Sequence, residues 1–499
     1  MITEQQFHQL AQQGYNRVPL VSQAFADLET PLSLYLKLAQ SEAGGQRSFL
    51  LESVVGGERF GRYSFIGLPA RVWLRSSGFG EHAVTEVLDG DTVIETAAGN
   101  PLDFVAHYQA RFKVALTDDL PRFCGGLAGY FGYDTVRHIE KKLQRSCPPD
   151  PLGLPDILLL QTEEVAVIDN LSGRLYLIVY ADPGQAGDYQ RAQARLSQLR
   201  ARLQTSVAQP PMGPMAKTEV VHERTQQDFE AAVLQAKQLI EGGDFMQLVI
   251  GQRMHKTFEG PPLSLYRALR SLNPSPYMYF YDFGDFHVVG ASPEILVRHE
   301  RTPEGAKVTI RPLAGTRPRG ATPEADRLAE EELLADPKER AEHVMLIDLA
   351  RNDIGRIAKL GSVKVTEAFV IERYSHVMHI VSNVEGLLRD GMTHMDVLKA
   401  SFPAGTLTGA PKVHAMEVID RLEPTKRGVY GGACGYISYA GDMDVAIAIR
   451  TGVIQNGTLY VQAGAGVVAD SVPEAEWNET RHKARALIRA AELLETGLE

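Results

Sequence analysis

Cysteine is scarce in this chain. Three occur in 499 residues, Cys124, Cys147 and Cys434, widely spaced and odd in number. They exclude a disulfide framework and fit a reducing compartment. Long apolar runs are missing as well; none reaches membrane-spanning length, so no membrane partner is expected. The opening residues, Met1-Ile2-Thr3-Glu4-Gln5-Gln6, are polar and lack a basic region followed by an apolar core, so no secretory signal is expected. These absences together predict a cytoplasmic protein. There is no excess of positive charge either. A net charge of −11 without any basic block argues against a nucleic-acid-binding surface, and any anionic ligand must be met by local positive groups. Short-period repeats and low-complexity tracts are absent. What is present is ordinary: 44% hydrophobic residues supply a sizeable core and 23% charged residues suit a globular protein.

The clearest seam is residues 206–216, SVAQPPMGPMA, which separates a charged helix-like stretch from a new helix. That helix is expected to start at Thr225, bury Phe229, Val233, Ala236 and Ile240, and stop at Gly242-Gly243. The chain is therefore divided into a first region, residues 1–205, and a larger second region, residues 218–499. The first mixes short β runs (71–74, 157–160, 165–168, 175–179) with turn-rich loops. The second alternates β runs (246–252, 277–281, 286–291, 308–311, 444–453) with amphipathic helices. Its β runs occur as neighbours rather than one per helix. That pattern predicts an α+β fold of largely antiparallel sheets flanked by helices.

Two Glu-x-x-Glu pairs, Glu339/Glu342 and Glu476/Glu479, each open a helix-patterned segment just after a proline, Pro337 and Pro473. Residues three apart share a helix face, so each pair projects two carboxylates in one direction. Hard oxygen donors without a Cys or His cluster favour Mg²⁺ over zinc or copper. The competing use is helix capping, with Asp336 at the N-cap and Glu339 at the third helical position of a capping box.

Residues 444–450, Asp-Val-Ala-Ile-Ala-Ile-Arg, predict a strand whose Asp444, Ala446, Ala448 and Arg450 share one face. Two alanines ending in an arginine leave room for a small anion beside a guanidinium; an edge strand with a salt-bridged arginine is the alternative. Gln462-Ala463-Gly464-Ala465-Gly466 lets backbone N–H groups approach an anion, but the spacing is not G-x-G-x-x-G and excludes a dinucleotide site. Residues 402–412 lack Gly-Lys-Ser/Thr, which excludes a phosphate loop and leaves a tight turn presenting Thr406. His376 and His379 fall on opposite sides of a strand-like segment. Either could be a general base near neutral pH or a satisfied structural histidine.

Several ordered segments together resemble the chorismate-utilising enzymes: Gly243-Asp244-Phe245-Met246-Gln247, Ala291-Ser292-Pro293-Glu294, residues 311–320, Asp348-Leu349-Ala350-Arg351-Asn352-Asp353 and residues 404–412. In the first region, Leu50-Leu51-Glu52-Ser53 and residues 125–134 join them. The resemblance implies a magnesium-dependent enzyme acting on chorismate, with Glu342 and Glu479 as principal metal ligands and Glu476 as a nearby contributor. It implies that Arg450, Tyr430 and the backbone of Gly464, Ala465 and Gly466 meet the enolpyruvyl carboxylate. Gly315, Thr316 and Thr406 would line the ring, Glu339 would protonate the departing C4 hydroxyl, and His379 would act on the C2 proton during pyruvate elimination. Relatives that form a covalent amine carry lysine where this chain has Ala314, and relatives that activate water carry lysine where it has Gln247. Both substitutions are similar to the anthranilate-forming branch, in which ammonia itself attacks. Cys434 lacks the partners of a glutaminase nucleophile, so a separate glutamine amidotransferase subunit is implied as the ammonia source. Glu52, Ser53, Pro276, Tyr277 and Met278 match the family's site for tryptophan as feedback inhibitor. The rivals are an aminodeoxyisochorismate synthase without the elimination step and a silent tryptophan-sensing subunit.

Overall fold

A computed structural model of the chain describes residues 2–40, 46–54, 61–207, 215–374 and 377–497. Seam residues 208–214 and His376 lie outside the described residues.

Among the described residues, the strands gather into two twelve-stranded sheets whose neighbours pair antiparallel. Period-two alternation sorts each strand's side chains between two layers. In Ser48–Glu52 and Tyr277–Asp282, Phe49, Tyr279 and Tyr281 enter a core shared with Tyr130, Leu158, Cys434 and Tyr436 of the other sheet. Leu50, Met278 and Phe280 face the opposite way, onto the helices Pro262–Leu272 and Pro473–Thr496. The second sheet does the same on its outer side. Leu159, Val445 and Ile447 pack with Ile347, Ile354 and Leu398 from the helices Pro337–Gly355 and His394–Ser401. The result is two sheets face to face with helices on both outer faces, the expected α+β class.

Among the described residues, each sheet crosses from the first region to the second at a single strand pair. Ser48–Glu52 pairs with Tyr277–Asp282 in one, and Gly126–Phe131 with Ala433–Ser438 in the other.

The helix after the seam runs Gln226–Glu241, and the Thr225 hydroxyl caps it by accepting the Asp228 N–H. Gly243 follows with φ +86°. The expected strand 444–453 is corrected. It divides into Met443–Ile447, in one sheet, and Thr451–Gln455, in the other. Between them Arg450 takes a left-handed φ of +51°, a conformation uncommon outside glycine and suited to turning the chain between layers. Arg450 is therefore delivered by a crossing, not by a strand face shared with Asp444. Among the described residues no helix is long and apolar enough to cross a membrane, and the three cysteines are free.

Candidate active site

Strand Leu313–Pro318 pairs with Val377–Leu387, and their register shifts between Ala314 and Arg317. The irregularity lifts Gly315 and Thr316 out of the ladder. Gly315 has φ +65°, and a Cβ there would stand 3.0 Å from Leu333 Cδ1 and 3.2 Å from Glu339 Oε2, so only glycine fits. Its carbonyl lies 2.8 Å from His379 Nδ1, with Thr316 Oγ1 at 3.2 Å from the same nitrogen. A carbonyl only accepts, so Nδ1 carries the proton and Nε2 keeps the lone pair. Burial lowers the His379 pKa and nearby Arg450 lowers it further, against the Gly315 bond and Glu372. Both effects favour the neutral, basic imidazole.

The helix Pro337–Gly355 starts beside this turn. Asp336 caps it, accepting the Lys338 and Glu339 N–H groups at 2.9 and 3.2 Å. The reciprocal half of a capping box is not made: the Asp336 N–H donates to the Glu332 carbonyl. The Glu339 carboxylate instead meets Arg317 Nη1 at 3.4 Å, and the same guanidinium holds Asp336 at 2.9 Å. Glu342, half-buried one turn on, is pushed up by burial and then by Glu339, with Lys483 opposing and Glu479 adding. On the helix Pro473–Thr496, burial likewise raises Glu476, against a Ser471 hydrogen bond. Both Glu-x-x-Glu pairs are thus on helices and within electrostatic reach of one another. Glu479 is exposed and salt-bridged at 2.6 Å to Lys483, one turn further along. Among the described residues, no three His, Cys, Asp or Glu side chains converge as ligands of one metal.

A second group faces these carboxylates. Burial lowers the Arg450 pKa, opposed by Tyr430 and Glu479. Among the described residues the Arg450 guanidinium has no salt bridge. The Tyr430 hydroxyl accepts the Gly464 N–H, and burial pushes its pKa up to about 12. A Cβ at Gly464 would stand 2.9 Å from that hydroxyl, and one at Gly466 would stand 2.7 Å from Gln247 Nε2. Gly464 is crowded on several sides, with Val249 Cγ1 also at 2.9 Å and the Ile250 carbonyl at 3.2 Å, whereas at Gly466 only the flexible end of Gln247 stands close. Ala465 is fully buried on the opposite face of Thr458–Val467 and offers only backbone to this side.

Thr406 sits in the 3₁₀ turn Gly405–Leu407, its Oγ1 buried and unpartnered. It lines a cavity of about 360 Å³ with Glu294 and Asp353. Glu294 and Lys483 received no role from the sequence. Burial pushes the Glu294 carboxyl up to about 8, against a Leu313 N–H bond and Lys483. The Ala-Ser-Pro-Glu motif marked Glu294, and the i, i+4 spacing from Glu479 marked Lys483.

Glu52, Ser53, Pro276, Tyr277 and Met278 all line one cavity of about 530 Å³ at the strand pairs where the sheets cross between regions. Alternation turns the Glu52 side chain away from the space between the sheets. There its carboxylate accepts from the Tyr266 hydroxyl and from Arg270 Nε, the latter at 2.6 Å. The charged groups lining the cavity from the facing sheet are Arg298 and Asp444, which lie 2.8 Å apart.

Residues 64–489 match the chorismate binding enzyme family, and the chain belongs to it. Over its whole length and all of theirs, it is 57% identical to anthranilate synthase component 1 of Neisseria meningitidis serogroup A and 54% identical to that of Pseudomonas aeruginosa. The crystal structure of anthranilate synthase component I from Streptococcus pneumoniae superposes with a TM-score of 0.75. It is 36% identical, covering 93% of this chain and 98% of that one. The menaquinone-specific isochorismate synthase of Escherichia coli, 18% identical with a TM-score of 0.70 and 98% coverage of both chains, shares the fold.

Proposed function

We infer that this chain is the large subunit of an anthranilate synthase, converting chorismate and ammonia to anthranilate and pyruvate with Mg²⁺. The observation that carries this is the pairing of opposites. Arg450 is a half-buried guanidinium without a salt bridge among the described residues, and the carboxylates Glu342, Glu476 and Glu479 are crowded by one another. A dicarboxylate such as chorismate spans the two ends when a cation stands at the acidic one. Arg450, Tyr430 and the Gly464–Gly466 backbone would take the enolpyruvyl carboxylate.

The carboxylate donors fit a hard divalent ion, since one would offset the burial, and behind it the like-charge crowding, that raise Glu342 and Glu476. Glu342 and Glu479 would hold it, with Glu476 contributing. When bound, Mg²⁺ neutralises the ring carboxylate. Gly315, Thr316 and Thr406 line the ring. The nitrogen lone pair of ammonia forms the bond to C2, both ring double bonds shift along the conjugated diene towards C4, and the C4–O bond breaks. The hydroxyl leaves as water with a proton from a carboxyl group. Glu339 and Glu294 are the candidates for that proton, and the geometry favours Glu294, because Glu339 is ion-paired to Arg317. His379 Nε2 then removes the C2 proton, the ring becomes aromatic, and the C3–O bond breaks to release pyruvate, whose methylene carbon takes a proton.

The chain offers no glutaminase nucleophile, since Cys434 is buried between the sheets and its thiol is pushed up to about 12. A glutamine amidotransferase subunit would supply ammonia. The cavity lined by Ser53, Pro276, Tyr277 and Met278 would bind tryptophan as inhibitor, and the free cysteines suit a cytoplasmic enzyme.

Purified chain incubated with chorismate, Mg²⁺ and ammonium should release anthranilate and pyruvate in equal amounts. Glutamine should serve only with the second subunit. An amino product without pyruvate would overturn the lyase assignment, and no turnover at all would leave a purely regulatory subunit.

A further inference from the structure

Among the described residues, His379 is hydrogen-bonded only through Nδ1. A ring tethered at Nδ1 can still pivot about that bond and carry Nε2 off target. The neighbouring strand supplies what stops it. Lys364–Arg373 pairs antiparallel with Val377–Leu387, and Glu372 stands directly opposite His379, so their side chains emerge on one face. Two residues on, the Tyr374 ring meets the imidazole edge to face, with centroids 5.6 Å apart and planes at 63°.

Tyr374 is itself anchored at three points. Its N–H donates to the Val377 carbonyl at 2.8 Å, and its own carbonyl accepts from Arg319 Nη1 at 2.6 Å. Its hydroxyl donates to Glu372 Oε2 at 2.8 Å, and Arg311 Nη2 holds the other carboxylate oxygen at 2.6 Å. Arg311 is buried. A half-buried carboxylate neutralised by a buried guanidinium and accepting a phenol hydroxyl is a rigid mount.

We propose that Tyr374, mounted on the Arg311–Glu372 pair, is a positioning residue that holds the His379 imidazole with Nε2 towards the substrate ring. It makes no contact with substrate in this role. The inference rests on reading His379 as the elimination base. It predicts a step-selective effect, because only elimination uses Nε2.

The test follows chorismate consumption and pyruvate release together in the full chain with Mg²⁺ and ammonium, beside a His379→Ala reference. Tyr374→Leu should cut pyruvate release by about tenfold or more, the scale of a misplaced catalytic group. Chorismate consumption and its KM should stay unchanged, so the amino intermediate accumulates. Tyr374→Phe keeps the ring but gives up its bond to Glu372, so its loss should fall between the parent and Tyr374→Leu. The groups facing His379 are Arg450, Glu372, Thr316 and Tyr374. Admitting water at the vacated ring weakens the burial that lowers the His379 pKa, so the acid limb of pyruvate release should move to higher pH in Tyr374→Leu. A folded Tyr374→Leu protein that loses both steps together, or neither, overturns the proposal. Should that variant fail to fold, Glu372→Gln tests the same mount, with the same selective loss supporting it and an unselective one overturning it. Equal loss of both steps in His379→Ala would instead overturn the reading of His379 itself.

Discussion

The ammonium of Lys483 lies 2.6 Å from a Glu479 carboxylate oxygen and donates to the Gly464 carbonyl at 3.0 Å. One cation thus ties a proposed metal ligand to the glycine-rich strand at the proposed carboxylate site. Lysine and a divalent ion compete for the same carboxylate. Lys483→Ala removes the competitor and leaves one more uncompensated negative charge. In the substrate-free protein, the Mg²⁺ concentration that half-raises Tm should fall by about three- to tenfold. An unchanged Mg²⁺ response would show that the ion binds without displacing Lys483.

Glu294, with its pKa pushed up to about 8, is protonated at neutral pH and loses its proton as pH rises through that value. Chorismate consumption should therefore have a basic limb near pH 8. Glu294→Gln should lower it by roughly a hundredfold or more, the usual contribution of a general acid, and Glu339→Gln by less. The linkage has a definite sign. A folded pKa above the unfolded carboxylate value means that the contribution to stability is complete at acid pH and disappears as pH rises through about 8. Glu294→Gln should accordingly keep its Tm better than the parent at pH 9. A larger loss from Glu339→Gln would return the acid role to Glu339.

His343, fully buried on the helix Pro337–Gly355, shares a 2.7 Å hydrogen bond with Ser382, and burial lowers its pKa to about 4. A depressed histidine pKa contributes stability that is present above the unfolded value and lost as pH falls through the folded one. Between pH 6.5 and 4 the loss amounts to ~3 kcal/mol. His343→Gln should flatten that part of the Tm profile. His138 and His394, also lowered to about 4, should keep the remainder of the slope.

Leu51 lines the cavity between the sheets alongside Tyr277 and Tyr436. Leu51→Phe should fill part of its roughly 530 Å³ and abolish any rise in Tm on adding tryptophan, with kcat unchanged. A retained tryptophan shift would place the inhibitor elsewhere.

The helices bearing Glu339, Glu342, Glu476 and Glu479 were legible because proline and apolar spacing are local signals, joined on the first helix by the Asp336 cap; the second follows Val472 without a side-chain cap. So was the helix after Thr225. The break at Arg450 was not, since no glycine or proline interrupts residues 444–451 and the crossing is imposed by two sheets pulling on one segment. The Ala-Ser-Pro-Glu motif and the i, i+4 spacing from Glu479 pointed at Glu294 and Lys483, but their roles come from burial and from neighbours distant in the chain. The direction of the Glu52 carboxylate depends on which face of its strand meets the other sheet, again a non-local matter.

Separating residues 1–205 from residues 218–499 would strip hydrogen-bond partners from four of the described strands. The strands Ser48–Glu52, Tyr277–Asp282, Gly126–Phe131 and Ala433–Ser438 would each show a raw edge from the middle of a sheet. Such edges are templates for association. Two fragments made together should therefore find one another and rebuild a single body, whereas either made alone should aggregate.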